Sequence, residues 1–110
     1  MLALTRHSRQ PSSKKRERFG MSLFDEVKMV LQECSDEQIK VLMNNESSLT
    51  NAMILTYIQK EDRARIMQSL PRPLLKEITK KMIHLNTLQP IVIEGICKGI
   101  IRKAALLPDM

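Results

Sequence analysis

The sequence predicts an all-α protein, and three observations support this prediction. Apolar residues recur at intervals of three and four through most of the chain after residue 21, a spacing that places them on one face of a helix. Glycine is scarce and the chain has three aromatic side chains, while the alternation typical of half-buried strands is hard to find. Serines and prolines stand at the boundaries of the periodic segments, where they favour helix starts.

The first 20 residues differ from the rest in charge and in hydrophobicity. They hold six basic residues against Glu17, a net charge of +5 out of the +6 of the whole chain, and have almost no apolar residues to bury. We therefore predict a disordered basic tail at 1–20 and one helical domain at 21–107. The basic run at 14–18 is typical of a solvated tail, or of one that contacts nucleic acid or an anionic membrane. Met21 is an alternative start of translation.

Two helices are predicted directly after the tail. Ser22 opens the first, which runs from Leu23 to about Gln32. Ser35 begins the second, with Gln38 three residues later in a capping-box arrangement, and Asn44-Asn45 ends it. Their predicted apolar sides consist of Leu23, Val27, Val30, Leu31, Ile39, Leu42 and Met43, with Phe24 nearby.

A second pair of short helices is predicted between Asn44 and Pro71. Ser47 or Ser48 caps the third helix, and a charged turn separates it from the fourth, which ends at a Leu-Pro step. Isolated helices of fewer than roughly 12–15 residues are marginal in water, so neighbouring helices must hold both. The predicted core-facing residues are Ala52, Ile54, Leu55 and Ile58, then Ala64, Ile66, Met67 and Leu70.

Prolines mark the last two helices. Pro73 lies at the start of the fifth helix. Three lysines of this helix form either a docking patch or a solvated outer face: Lys76, Lys80 and Lys81. Asn86 to Gln89 is a predicted turn, and Pro90 starts the sixth helix, which runs to about Leu106.

The sixth helix is apolar around most of its circumference. It is therefore either central to the fold or in contact with a partner on its second side. Gly95 and Gly99 share one of its faces. Two interior glycines cost about 1 kcal/mol each relative to alanine, which indicates either close approach of another helix or a simple loss of constraint. Short helices joined by turns with Leu-Pro steps predict an armadillo- or HEAT-like right-handed stack of about six helices.

No catalytic or metal-binding grouping is present in the sequence. His7 lies in the tail and His84 late in a helix, and neither has a carboxylate neighbour in sequence. Cys34 and Cys97 are isolated, which favours two buried free thiols in a reducing compartment. No apolar run approaches the roughly 20 residues of a membrane span, and no secretion signal is evident. We therefore predict a non-enzymatic protein without cofactors.

Residues 36–106 resemble the middle domain of the flagellar motor switch protein FliG. The family pattern is Asn-Glu-His-Pro-Gln-Thr, then a helix of the form Ile-Ala-Leu-Ile-Leu-Ser-Tyr-Leu, a charged turn and a helix ending Leu-Pro. The resemblance also includes Gln89-Pro90, where the family usually has Ser-Pro. Matching residues occur without a gap at Asn45, Glu46, Thr50, Ala52, Ile54, Leu55, Tyr57, Ala64, Leu70 and Pro71.

The resemblance implies an armadillo-like interaction domain of the cytoplasmic switch complex, with FliM-like or FliG-like partners at the flagellar basal body. It implies a partner-binding surface at Glu46, Ser47, Ser48, Leu49 and Thr50. To this surface we add the sixth helix, because of its own apolar circumference. Of the family's Glu-His-Pro-Gln motif only Glu46 is kept, because Ser47, Ser48 and Leu49 replace the other three residues.

Three interpretations of such a chain stay open: a divergent stand-alone paralogue, a fragment of a split gene, and an accessory rotor protein. The family's membrane-ring and stator-facing domains are not in this sequence, so we expect no torque generation by this chain alone. Two other functions remain alternatives, namely a regulatory helical domain of the MgtE N-terminal type and a small basic nucleic-acid-binding protein. The nearly neutral folded part disfavours the second of these.

Overall fold

The computed structural model describes residues 22–109 and consists of six α-helices with no strand in that range. The predicted all-α class and the number of helices are confirmed, whereas the predicted tail lies outside the described residues. A short 3₁₀ turn, Leu85–Thr87, occupies part of the predicted turn before the last helix. The helices are α1 (Leu23–Gln32), α2 (Asp36–Met43), α3 (Ser48–Tyr57), α4 (Lys60–Gln68), α5 (Arg72–Ile83) and α6 (Pro90–Ala104).

Side-chain caps fix the starts of the first three helices. The Ser22 hydroxyl accepts the Asp25 backbone N–H at 3.1 Å. Ser35 and Gln38 form the complete capping box, since each side chain accepts the other's backbone N–H. Ser47, not Ser48, caps α3. The caps satisfy N–H groups that have no partner within the helix, which is why helix starts are readable from sequence.

Helix α3 lies at the centre of the fold. Five consecutive residues, 51–55, are buried, so this helix is enclosed on all sides over more than one turn. It packs mainly against α5 and also contacts α1, α2 and α6. The apolar core consists of Val27, Leu31, Ile39, Leu42, Met43, Ala52, Met53, Ile54, Leu55, Ile58, Ile66, Ile78, Cys97 and Ile100.

Helix α6 is peripheral rather than central. Only Cys97 and Ile100 of its fifteen residues are buried, and it packs mainly against α1. Its second apolar side, with Ile91 72 % exposed, is left open by the rest of the described chain. Of the two alternatives that the sequence allowed for this helix, the structure therefore excludes the central position.

Three predictions about individual positions were wrong. Ala64 is exposed, because it lies 200° around α4 from Ile66, the single buried residue of that helix. Cys34 is only half-buried, since it lies in the connection between α1 and α2, while Cys97 is fully buried; both thiols are free. Helix α6 ends at Ala104 instead of about Leu106.

Polar contacts attach α4 to its neighbours, since this helix buries little apolar surface. Arg65 donates to both carboxylate oxygens of Asp36 on α2, at 3.0 and 3.3 Å, and also pairs with Asp62. Arg63 Nε donates to the Leu55 carbonyl at 2.9 Å, which satisfies a free acceptor at the end of α3. The hydrogen bond from Arg65, followed by its charge, lowers the pKa of the Asp36 carboxyl.

The buried Asn51 generates a stability prediction. Its side-chain Oδ1 has no hydrogen-bond partner although the residue is 2 % exposed. Because an unpaired buried polar group opposes folding, we expect Asn51→Leu to raise the free energy of unfolding by about 1 kcal/mol. Urea denaturation followed by circular dichroism measures this. Gln68→Leu, at an exposed helical position, is the matched control. An unchanged or lower stability of Asn51→Leu would contradict the expectation.

The Asp36–Arg65 pair generates a prediction about pH. A carboxyl whose pKa is lowered by folding stabilises the folded state above its unfolded pKa, and that contribution is lost as pH falls. We therefore expect the stability of the wild type to fall more steeply below about pH 4 than that of Asp36→Asn. Urea midpoints measured across this range test it, with Glu37→Gln as control. Parallel acid profiles for wild type and Asp36→Asn would refute this role of the pair.

Candidate functional site

A groove of about 400 Å³ lies between α6 on one side and the end of α2, the following segment and α3 on the other. We call it the α6 groove. It is a concave surface with mainly apolar walls and a pair of charged residues at one end. Its lining residues are Leu42, Glu46, Thr50 and Ile54 on one side and Ile91, Val92, Gly95, Ile96, Gly99, Ile100 and Lys103 on the other.

The α6 wall of the groove is open because two of its residues have no side chain. A Cβ atom placed on Gly95 or Gly99 would meet nothing within 4 Å. The predicted close approach of another helix to these glycines therefore does not occur within the described chain. Beside them, Ile91 is 72 % exposed and Val92 40 % exposed. The wall is thus an apolar surface without a partner, about 18 Å long from Ile91 to Lys103 at the rise of an α-helix.

The opposite wall contains two of the five residues predicted to bind a partner. Glu46 and Thr50 line the groove, on the connection before α3 and in its first turn respectively. Leu49 is half-buried and is not a lining residue. The structure therefore places part of the predicted motif beside the apolar side of α6, two features that lie more than 40 residues apart in sequence.

The two serines of the predicted motif have other roles. Ser47 accepts the Thr50 backbone N–H at 3.1 Å as the N-cap of α3. The Ser48 hydroxyl lies 3.4 Å from a carboxylate oxygen of Glu77 on α5, and Ser48 does not line the groove. The residues of Glu46–Thr50 therefore lie in different places. Glu46 and Thr50 line the groove, Ser47 caps α3, and Ser48 faces α5.

Lys103 joins the two walls at one end of the groove. Its ammonium group donates to the carbonyl oxygens of Leu42 at 2.9 Å and Asn44 at 3.0 Å, and to Glu46 Oε2 at 2.8 Å. These carbonyls lie where α2 ends, so Lys103 satisfies acceptors left free at a helix terminus and opposes its negative dipole. The chain then turns through Asn45, whose φ of 64° lies in the left-handed region that asparagine tolerates.

Sequence reasoning did not find Lys103 as a site residue. A lysine in the last turn of a helix normally stabilises the end of its own helix. Nothing in the sequence pairs position 103 with positions 42 to 46, because the pairing depends on how α6 packs beside α2. The predicted helix end at Asn44-Asn45 was the one signal in the sequence for such a contact, because the carbonyl groups at a helix end need hydrogen-bond donors.

The lining of the groove contains one carboxylate, one hydroxyl and one ammonium group among apolar residues, and neither a cysteine nor a histidine. Burial raises the pKa of the Cys97 thiol, which keeps it protonated and a poor nucleophile near neutral pH. His84 is the C-cap residue of α5, as predicted, and does not line the groove. Within residues 22–109, no group of three or more potential metal ligands occurs, and no helix is long and apolar enough to span a membrane.

The chain is similar to a known protein family. The family model described as the FliG middle domain matches residues 36–109 and thus covers α2 to α6. No curated protein and no solved structure matches the chain.

The Lys103 contacts predict a loss of stability when the ammonium group is removed. Lys103→Met keeps most of the apolar stem but leaves Glu46 and the Leu42 carbonyl without their donor. We expect the free energy of unfolding to fall by about 1–2 kcal/mol. Hydrogen bonds to charged groups contribute about 1.5–3 kcal/mol, and partial exposure of Lys103 and Glu46 to solvent reduces this. Urea denaturation tests this against Lys98→Met, an exposed lysine on the same helix. Equal stability of the two variants would show that the Lys103 contacts contribute little.

Proposed function

The chain belongs to the FliG middle-domain family, because the family model covers two thirds of the chain, and we propose that this protein is a protein–protein interaction module of the flagellar motor switch. The proposed module carries out no chemical reaction. It acts in flagellar rotation and switching, and hence in chemotactic motility, by holding switch components together in the cytoplasm at the base of the flagellum. Its armadillo-like helical fold is suited to this role, since stacked short helices present extended surfaces to partners.

The observation that carries this proposal is the α6 groove. Its floor includes the buried Ile54, while Ile91 and Val92 remain exposed at its wall. Exposed apolar residues beside a concave surface are typical of a protein-binding site. The glycines leave room for a partner to approach the α6 backbone closely, and the cost of two interior glycines is offset if that approach contributes binding energy.

The proposed partner is a FliM-like or FliG-like switch component that contacts Glu46, Thr50 and the apolar wall of α6. Of the family's Glu-His-Pro-Gln motif this chain keeps Glu46, and its carboxylate is held by Lys103. Of the three replacing residues, Ser47 caps α3, and neither it nor Ser48 or Leu49 supplies an imidazole or a side-chain amide. We therefore propose that apolar contacts with α6 contribute more to binding here than polar contacts with the motif.

Filling the groove without disturbing the fold tests this function. A Cβ at Gly99 meets nothing within 4 Å, and leucine has the higher helix propensity, so Gly99→Leu should be at least as stable as the wild type. The leucine side chain would occupy the space proposed for the partner. We expect Gly99→Leu to lose binding to the FliM-like or FliG-like protein encoded in the same genome, measured by pull-down and by calorimetry.

Ala105→Leu is the matched control, because it introduces the same side chain at an exposed residue. Ala105 directly follows α6 and does not line the groove. It should bind as the wild type does. A wild-type chain that binds neither switch protein would contradict the proposed function. Binding that survives Gly99→Leu would instead leave the function intact but exclude the α6 groove as its site.

A further inference from the structure

Positive charge is concentrated on α5. Four of the twelve residues of this helix are basic and one, Glu77, is acidic, which gives the helix a net charge of +3. Residues 22–109 as a whole carry twelve basic and eleven acidic side chains, a net charge of only +1. The rest of the described chain is therefore slightly negative. The basic residues of α5 are Arg72, Lys76, Lys80 and Lys81, and all four are exposed.

Three of these cations share a narrow stripe of the helix surface with an exposed apolar residue. At about 100° per residue, Arg72, Lys76 and Lys80 span about 80° of the circumference. Ile83 falls within the same arc and is 70 % exposed, whereas the buried Ile78 lies on the opposite side of the helix. The arc is about 17 Å long at the rise of an α-helix. We call Arg72, Lys76, Lys80 and Ile83 the basic stripe.

The basic stripe has no counter-charge among the described residues. Its three cations form no ion pair there, since the ion pairs within residues 22–109 involve Arg65 and Lys103. The carboxylate of Glu77 is turned towards α3, where it lies 3.4 Å from the Ser48 hydroxyl. Like charges four residues apart on one helix face repel each other. An anionic surface outside the described chain would relieve this repulsion.

Stabilisation of α5 itself accounts for only part of this charge. The helix dipole favours cations in the last turn, where Lys80 and Lys81 lie, and disfavours them in the first turn. Arg72 is the first residue of α5, and the first turn contains no acidic residue. The dipole therefore does not explain Arg72, and it does not explain an isoleucine exposed among the cations.

We propose that the basic stripe binds the surface of a bilayer that contains anionic phospholipids, with α5 parallel to the membrane. Anionic headgroups attract cations that lie close to the surface, and an exposed isoleucine among those cations can enter the boundary between headgroups and acyl chains. The six basic residues of segment 1–20 supply a second cationic group in the same chain, and stable attachment to a membrane takes more than one such signal. This contact uses no residue that lines the α6 groove, so it goes beyond the proposed switch function.

The side chains of α5 favour a bilayer over a nucleic acid. Ile83 has neither a hydrogen-bonding group to read a base edge nor an aromatic ring to stack on a base. No other residue of α5 is aromatic. Contacts with nucleic-acid phosphates would use the cations of the stripe but would leave the isoleucine in water, whereas a bilayer interface removes it from water. One bilayer surface thus satisfies both kinds of side chain in the stripe.

Cosedimentation of the full chain with lipid vesicles tests this proposal. Vesicles of phosphatidylcholine with about 30 % phosphatidylglycerol should bind the wild type, and vesicles of phosphatidylcholine alone should not. Binding should weaken as NaCl rises from about 20 mM to about 500 mM, because the screening length falls several-fold. Lys76→Gln with Lys80→Gln should weaken binding by about tenfold or more, since each cation near an anionic membrane contributes about fivefold.

Two further variants separate the contributions. Ile83→Gln should weaken binding to the anionic vesicles at every salt concentration, because salt does not screen the burial of apolar surface. Lys98→Gln with Arg102→Gln removes the same two charges from exposed positions of α6 and should bind within about threefold of the wild type. Circular dichroism checks that the variants, all at exposed positions, remain folded.

Three results would overturn the proposal. The first is a wild type that binds anionic vesicles no better than neutral vesicles at low salt. The second is binding that persists without the charges of the stripe but disappears when Lys14, Lys15, Arg16 and Arg18 are replaced by alanine. The third is tighter binding to duplex DNA than to anionic vesicles at equal salt, unchanged by Ile83→Gln. None of these results concerns binding to a FliM-like or FliG-like protein, so the proposed function is tested separately.

Discussion

Burial of α3 is the constraint on which the rest of this structure depends. A ten-residue helix gains little from its own hydrogen bonds in water, and so its stability comes from the helices that enclose it. Residues 51–55 are all buried, and this requires neighbours on every side: α5 on one, and α1, α2 and α6 on the others. Those helices have 8 to 15 residues, and each depends in turn on the apolar surface that α3 provides.

Because α3 occupies the centre, the other helices are left at the periphery, each with one side exposed. This explains why the apolar side of α6 has no partner within the described chain and why the cations of α5 face solvent. Lys103 then joins α6 to the end of α2 through three hydrogen bonds of 2.8 to 3.0 Å, at one end of the groove between them. The groove is therefore a consequence of the helix arrangement as much as of the residues that line it.

Three positions show a cost to stability that the fold itself does not require. Gly95 and Gly99 have room for a side chain, and Asn51 buries an unpaired oxygen at the position where the FliG pattern has isoleucine. The glycines have an explanation in the proposed binding surface, because they leave the α6 backbone accessible. For Asn51, the contacts of the described residues give no explanation of this cost.

The sequence by itself determined the helices, their starts and most of the core. Capping serines, prolines and three-to-four spacing act over a few residues, so Ser35 with Gln38, or Ile54 with Leu55 and Ile58, could be interpreted without knowing the fold. It also indicated, through the ungapped match around Glu46, the family that the comparison found. Ala64 was assigned wrongly because local spacing does not reveal how many sides of a helix have neighbours.

Only the tertiary structure decided which helix is central, which carbonyls Lys103 satisfies, and that Glu46 and Thr50 face the same groove as Gly95 and Gly99. These relations join residues far apart in the chain, and their energies come from packing and charge at distances of a few ångströms. No pattern of neighbouring residues in the sequence contains that information.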